Sequence, residues 1–139
     1  MNIEIQRKYM QIQALEERIK SFMNEKENVE NAIEEIHTTI TSLENLKKDV
    51  KETINSLGSG VLIFTIPRNV DEVLLNIGAE IYVRKKRIEA IAILRERLKE
   101  LVDYYNAIGE QLTKLVEQYE QAKNDLEKLI QQQQRSEAG

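Results

Sequence analysis

The sequence predicts a mostly helical α+β fold, in which a long antiparallel coiled-coil hairpin carries two β-hairpins at its centre. Three observations predict it: heptad spacing of apolar residues in both halves, a central run of β-branched residues, and turn residues concentrated in that run. We expect the 139 residues to form one unit. Its predicted parts are a first helix at about 3–50, two β-hairpins at 51–84, a second helix at 85–133 and a disordered tail at 134–139.

The first half carries a heptad repeat that begins at Ile5 and ends at Val50. Eleven of its fourteen a and d positions are apolar, and the exceptions are Lys8, Lys26 and Lys47. Such spacing places an apolar stripe along one face of a helix, as a coiled coil requires.

The second half repeats the pattern from Ile91 to Leu129, where twelve consecutive a and d positions carry no charged residue. The two seams, at about 5–50 and 87–133, have matching lengths and are joined by a short middle, which indicates that the first helix packs antiparallel along the second. Seam burial alone leaves such a two-helix rod marginally stable, because ordering the chain costs a comparable free energy.

The central segment departs from this helical pattern, since it holds the only proline and three of the five glycines. Glycine-containing turns separate its β-branched runs, which indicates two successive β-hairpins. The four predicted strands are 51–56, 61–66, 73–77 and 80–83.

These strands are apolar on both faces. Adjacent residues in a strand point to opposite faces, yet 61–64 and 73–75 are apolar throughout. A sheet with two apolar faces must be covered on both sides, and we expect the helices to bury their seams against each other instead. Hairpins of other subunits are therefore expected to complete the core. The predicted oligomerisation residues are Val61, Ile63, Phe64, Val73, Leu75, Ile77, Ile81 and Val83.

The composition excludes several classes of function. A net charge of -4 argues against a general nucleic-acid or anionic-membrane surface. The absence of cysteine excludes disulfides and thiol nucleophiles and fits a reducing cytosol. The N-terminal sequence lacks the apolar core of a signal peptide, and no stretch approaches the ~18 apolar residues that span a bilayer, so we expect a cytoplasmic protein.

Catalytic chemistry lacks the residues it needs. The only histidine, His37, is expected on the polar side of the first helix, where a metal site or a nucleophile–base pair would have no partners. Carboxylates such as Glu16 and Glu34 are expected on helix surfaces without a pocket, so catalysis by paired acids is not expected. We expect no enzyme activity, no catalytic or metal-binding residues and no cofactor.

The segment LGSGVLIFTIPRNVDEVLLNIGAEIYVRKKRIEAI, residues 57–91, resembles the alpha class of the prefoldin family. The resemblance extends over the whole pattern of helix, two hairpins and helix, and two hairpins rather than one indicate the alpha class. It implies a hexamer of two alpha-class and four beta-class subunits, whose hairpins form a double β-barrel platform from which six coiled coils project. The absence of terminal extensions favours an archaeal source. The run Arg84–Arg87, expected at the start of the second helix, is basic where relatives often carry an acidic residue.

Apolar residues near the free ends of the helices are candidates for client binding. Ile3, Tyr9, Met10 and Ile130 lie off the a and d positions, and an antiparallel hairpin brings them to one tip. Scattered surface hydrophobes often have no function, and that alternative stays open. The predicted client-binding residues are Ile3, Tyr9, Met10, Leu126, Leu129 and Ile130.

The resemblance also implies a function, that of a chaperone subunit which captures unfolded proteins without ATP and transfers them to a cytosolic group II chaperonin. Several apolar tips on one platform, each binding weakly, together hold an unfolded chain by multivalency. The alternative is a coiled-coil scaffold or tether that binds folded partners. Suppression of the aggregation of a denatured enzyme distinguishes the two functions.

Overall fold

Two long helices and four short strands make up the chain, and the computed structural model describes residues 2–47, 49 and 51–138. The elements in chain order are α1 Ile3–Asn45, β1 Thr53–Gly58, β2 Val61–Thr65, β3 Glu72–Gly78, β4 Ile81–Lys86 and α2 Arg87–Ala138. The predicted fold class, two long helices with two central β-hairpins, is confirmed. Within those described residues, no helix is long and apolar enough to cross a bilayer.

The bounds of α1 are set by a polar contact at each end. At its start, Asn2 Oδ1 accepts the backbone N–H of Glu4 at 2.9 Å, as a favoured N-cap residue does. At its end, the carbonyl oxygen of Leu43 accepts the backbone N–H of Leu46 at 3.3 Å and Arg87 Nη1 at 2.9 Å, so a carbonyl of the last turn is bonded by the start of α2 as well as by its own chain segment. The helix ends at Asn45, so the predicted boundary near residue 50 is too late. The predicted seam position Val50 lies outside the described residues.

The end of α2 differs from the predicted disordered tail, because residues 134–138 continue the helix to Ala138. Glutamine, glutamate and alanine favour the helical conformation, so composition alone does not stop propagation here. Gln133 also donates through Nε2 to Glu137 Oε1 at 3.4 Å, one turn further on.

The chain divides into two compact units, each containing segments of both helices. We call Met1–Asn31 with Val102–Gly139 the arm unit and Ala32–Leu101 the hairpin unit. In the arm unit α1 and α2 run antiparallel, since hydrogen bonds join Glu16 to Tyr119 and Glu25 to Tyr104. The arm core is formed by predicted a and d residues, namely Ile12, Leu15, Leu115 and Ala122.

Two of the charged seam positions are matched across the arm helices. The Lys8 Nζ lies 3.3 Å from Asp125 Oδ2. The Lys26 Nζ lies 5.0 Å from the centroid of the Tyr105 ring, a cation–π distance. Lys47, the third, follows the end of α1 and is exposed. The seam therefore tolerates its lysines, because the two arm lysines have partners and Lys47 keeps its charge in solvent.

In the hairpin unit the helices pack against one hairpin as well as against each other. Its core contains Ile40 of α1, Leu75 of β3, and Ile91 and Leu94 of α2. The sequence predicted that both hairpins would be left uncovered by their own chain. That prediction is wrong for β3–β4, because the start of α2 turns its apolar stripe against one face of this sheet.

The two hairpins share one backbone plan. Each is an antiparallel pair with a two-residue turn, and each has a register shift beside the turn, at Ser56/Gly58 and at Asn76/Gly78. In the first hairpin Ser56 Oγ accepts the backbone N–H of Gly58 at 3.1 Å. In the second, Asn76 Oδ1 accepts the backbone N–H of Gly78 at 2.8 Å. Three successive residues then have positive φ, which matches the type I′ turns favoured in two-residue hairpins.

The basic run does not stand at a helix start as predicted. Arg84, Lys85 and Lys86 belong to β4, and only Arg87 begins α2. The backbone N–H of Arg87 donates to the carbonyl oxygen of Asp71 at 2.7 Å, which holds the helix start against the β2–β3 connection. Three of the four charges are therefore sheet residues, which removes the expected opposition to the helix dipole.

Candidate functional site

The start of α1 presents an apolar surface that its own unit does not bury. Ile3, Tyr9 and Met10 keep 64%, 47% and 69% of their surface exposed. Ile3 and Met10 are seven residues apart and therefore lie on one side of α1, away from the buried Ile5 and Ile12. Tyr9 points about 100° away from Met10 around the helix axis, so the three residues offer separate apolar contacts rather than one continuous patch.

The end of α2 contributes less free surface than the sequence suggested. Leu126, Leu129 and Ile130 are only half-buried, and Leu126 packs against the arm core. Ile130 lies one turn after Leu126 on the same side of the helix, so it is not the outward-facing residue that the heptad pattern indicated. Leu129 lines a groove together with residues from the start of α1.

A groove with mainly charged walls lies between the two helices of the arm unit, and Ile3, Tyr9 and Met10 are not among its lining residues. This groove of about 450 Å³ is lined by Leu129 and by six polar or charged residues of the two helices. The Lys8–Asp125 contact crosses it. Hydrogen bonds from Gln121 and Lys8 lower the pKa of Asp125, so this carboxylate stays charged to more acidic pH. Separate apolar side chains among charged and polar neighbours favour weak, reversible contacts with a partner.

The β1–β2 hairpin is exposed on both faces. Ile54 pairs with Phe64 and Ser56 with Leu62, which places Ile54, Leu62 and Phe64 on one face at 60%, 63% and 72% exposure. The other face carries Thr53, Asn55, Ile63 and Thr65, where the Thr53 and Thr65 hydroxyls lie 2.7 Å apart. No charged residue occurs between Thr53 and Ile66.

The β3–β4 hairpin has one covered and one open face. Its inner face carries Val73, Leu75, Val83 and Lys85; Leu75 is buried and Val73 and Val83 are half-buried. Its outer face carries Glu72, Leu74, Asn76, Tyr82, Arg84 and Lys86. Leu74 and Tyr82 of that face are 67% and 58% exposed.

The predicted oligomerisation residues therefore separate into two groups. Five of them are exposed, namely Val61, Ile63, Phe64, Ile77 and Ile81. Leu75 belongs to the core of its own chain, and Val73 and Val83 lie beside it. The predicted set omits several exposed apolar residues of the hairpins, although Leu62 and Leu74 lie in the runs whose lack of alternation predicted the interface. The omitted residues are Ile54, Leu57, Leu62, Ile66, Leu74 and Tyr82.

Neither the start of α1 nor the hairpins carry an arrangement of catalytic or metal-binding groups among the described residues. In the described part of the chain, no three His, Cys, Asp or Glu residues come together as a metal site would require. His37 is exposed on α1. The start of α1 and the hairpins instead offer exposed apolar side chains with polar or charged residues beside them.

Comparison with known proteins places these features in one family. The family model for a prefoldin subunit matches residues 11–132. The alpha subunit of prefoldin from Methanococcus maripaludis is 27% identical over 101 residues, which are 73% of this chain and 69% of that protein. The alpha subunit from Methanococcoides burtonii is 37% identical over 75 residues, 52% of this chain and 54% of that protein.

Solved structures show the same fold. The filamentous prefoldin (PFD) of Methanocaldococcus jannaschii superposes with a TM-score of 0.70 at 16% identity, over 81% of this chain and 95% of that one. The prefoldin beta subunit of Thermococcus strain KS-1 superposes with a TM-score of 0.65 at 16% identity, over 92% and 93%. Since the family model spans most of the sequence and these folds agree with it, the chain belongs to the prefoldin family.

Proposed function

We propose that the chain is a subunit of an ATP-independent chaperone, which captures unfolded proteins at its helix ends and transfers them to a cytosolic group II chaperonin. Prefoldins are chaperone subunits rather than enzymes. The observation that carries the proposal is the exposed apolar surface at the start of α1, formed by Ile3, Tyr9 and Met10.

The chemistry of this surface suits an unfolded chain as its ligand. An unfolded protein exposes apolar side chains without a fixed shape, so a surface that binds many sequences needs adaptable contacts. Met10 is unbranched and polarisable, and Tyr9 combines an apolar ring with a polar hydroxyl. Burial of one such side chain contributes at most ~1.5–3 kcal/mol, which gives a weak contact for a single subunit.

Assembly converts these weak contacts into useful affinity. Several subunits that each offer one apolar end bind a client by multivalency, and each contact can still break independently. Stepwise breakage permits transfer to a chaperonin without ATP. The proposed assembly joins two alpha-class and four beta-class subunits through the hairpins into a β-barrel platform. The exposed faces of β1–β2 support this part of the proposal, since an apolar hairpin with free edges favours pairing with other strands.

The experiment compares client protection by two triple variants in complexes with a beta-class prefoldin subunit. The test variant replaces Ile3, Tyr9 and Met10 with Ser. It should keep the native mass of the complex but protect a chemically denatured enzyme from aggregation several-fold less well, because exposed apolar area is lost and no core residue changes. Protection remaining in this variant should come from the beta-class subunits.

The matched control replaces Met23, Val102 and Val116 with Ser. These are also exposed apolar residues of the arm unit, at 58%, 37% and 44% exposure. Protection by this control should equal that of the wild type. Equal protection by all three proteins would remove the helix ends as the client site, and a wild-type complex without any protection would favour the tether.

A further inference from the structure

The two hairpins share a backbone plan but present different chemistry on the corresponding face. Superposing their turns places Arg84 where the first hairpin has Phe64, and Tyr82 where it has Leu62. The first hairpin offers an uncharged apolar face. The outer face of β3–β4 combines apolar residues with cations, so the two hairpins should prefer different partners.

The cations of this outer face exceed the anions beside them. Glu72 lies opposite Lys86, and its Oε2 is 3.4 Å from Arg84 Nε. That oxygen is buried and forms no hydrogen bond. Arg68 joins Arg84 and Glu72 in lining a cavity of about 370 Å³, and among the described residues it has no ion-pair partner. Asp71 lines a neighbouring cavity with Glu72 and Lys86, so two carboxylates lie beside two guanidinium groups and one ammonium group.

We propose that the outer face of β3–β4 docks a strand of a different subunit that carries aspartate or glutamate, and that Arg68 and Arg84 receive its carboxylate. The inference rests on the assembly part of the proposed function and identifies the chemistry of the partner. A guanidinium group binds a carboxylate through paired N–H donors, and Arg68 donates no hydrogen bond to another residue in the part of the chain that the structure describes.

A second copy of the chain does not suit this face. Packing two β3–β4 outer faces together would bring one face with excess positive charge against another, and like charges brought together across an interface are unfavourable. Charge on a sheet edge is also a recognised means of preventing self-pairing. An acidic strand meets the same face with opposite charge, so the face selects against the chain itself and for a different subunit.

The exposed apolar residues indicate a polypeptide rather than a simple anion. Leu74 and Tyr82 lie on the same face as Arg84 and remain largely exposed. A docked strand would cover both of them while its carboxylate occupies the Arg68–Arg84 cavity. Basic residues also outnumber acidic ones between residues 47 and 87, although the whole chain has a net charge of -4.

The test measures the dissociation constant between the full chain and a beta-class prefoldin subunit at 50 and 500 mM NaCl. Wild-type affinity should fall at least about tenfold over this range, because salt screens a charged interface. R68E/R84E should weaken binding at least about tenfold at low salt, while the native mass of the chain alone stays unchanged. R68Q/R84Q should give a smaller loss of affinity for the beta-class subunit. This variant adds no negative charge beside Glu72, so it tests the inference even if R68E/R84E disturbs the hairpin.

The matched control is K99E/K114E, which changes the net charge equally at two exposed positions of α2. It should bind the beta-class subunit within about twofold of the wild type. Unchanged binding by R68E/R84E and R68Q/R84Q would overturn the inference. So would a changed mass of either variant alone, since the face would then join copies of this chain. If the wild type fails to associate with the beta-class subunit at all, the proposed assembly itself fails.

Discussion

Leu75 and Phe64 show how residues of the same chemical type have different roles in the two hairpins. Both are large and apolar, and both were predicted to lie in an interface between subunits. Leu75 lies on the inner face of β3–β4, packs with Ile40 and Ile91, and keeps 9% of its surface exposed. Phe64 lies on a hairpin face that no helix covers and keeps 72%.

This difference predicts unequal effects of truncation on the stability of the isolated chain. Leu75→Ala should lower the free energy of unfolding by roughly 2–5 kcal/mol, because it leaves a cavity in the core. Phe64→Ala should change it by less than about 0.5 kcal/mol, because the ring is exposed. Urea unfolding followed by circular dichroism, at a dilution where light scattering gives a monomer, measures both. Equal losses would mean that Phe64 is buried within its own chain.

At the scale of the element, the hairpin turns differ in how well their residues suit a common geometry. The first turn places Ser59 and Gly60 at φ values of 53° and 79°. The second places Ala79 and Glu80 at 49° and 58°. Residues other than glycine and asparagine are disfavoured in this left-handed region, so the second turn is the more strained of the two.

Replacing Ala79 with Asn and Glu80 with Gly should therefore stabilise the chain, by on the order of 1 kcal/mol. Asn-Gly is the preferred pair for a type I′ turn because both residues accept positive φ. The converse change, Gly60→Ala, should destabilise the chain by a similar amount, and it serves as the control. Thermal unfolding measures both shifts. A loss of stability in the Asn-Gly variant would show that the turn does not require positive φ at these positions.

At the scale of the whole molecule, the surface proposed for clients and the surfaces proposed for assembly belong to different units. Ile3, Tyr9 and Met10 lie in the arm unit, and all four strands lie in the hairpin unit. Each unit has its own buried cluster. Damage to an exposed surface of one unit should therefore leave the packing of the other unchanged.

Replacing Leu62 and Phe64 with Asp tests this separation from the assembly side. In the proposed complex the two carboxylates would be buried without partners, at a cost of several kcal/mol. The native mass with a beta-class subunit should fall, while far-UV circular dichroism keeps the helical signal of α1 and α2. The same substitutions at the exposed Val102 and Val116 should leave the mass unchanged. An unchanged mass in the Leu62 and Phe64 variant would exclude this hairpin face as an interface.

The sequence by itself determined the elements, because hydrophobic period and turn residues act locally. Heptad spacing identified the seam residues that form the arm core, and the glycine turns identified both hairpins. The exposed state of Ile3 and Met10 also followed from their positions off the heptad. Local composition was less informative at helix ends, where it placed the end of α1 too late and the end of α2 too early.

Only the tertiary structure decided which apolar strand residues are covered by the chain itself. A strand with two apolar faces gives no sign of which face meets a helix, because that depends on how the chain returns over the sheet. The return at Arg87, held by the Asp71 carbonyl, brings α2 against Leu75 and leaves Phe64 exposed. The same folding brings Arg68 and Arg84 to one cavity. These residues are distant in sequence, so periodicity carries no information about their contact, and burial and charge pairing are settled only once the chain has folded.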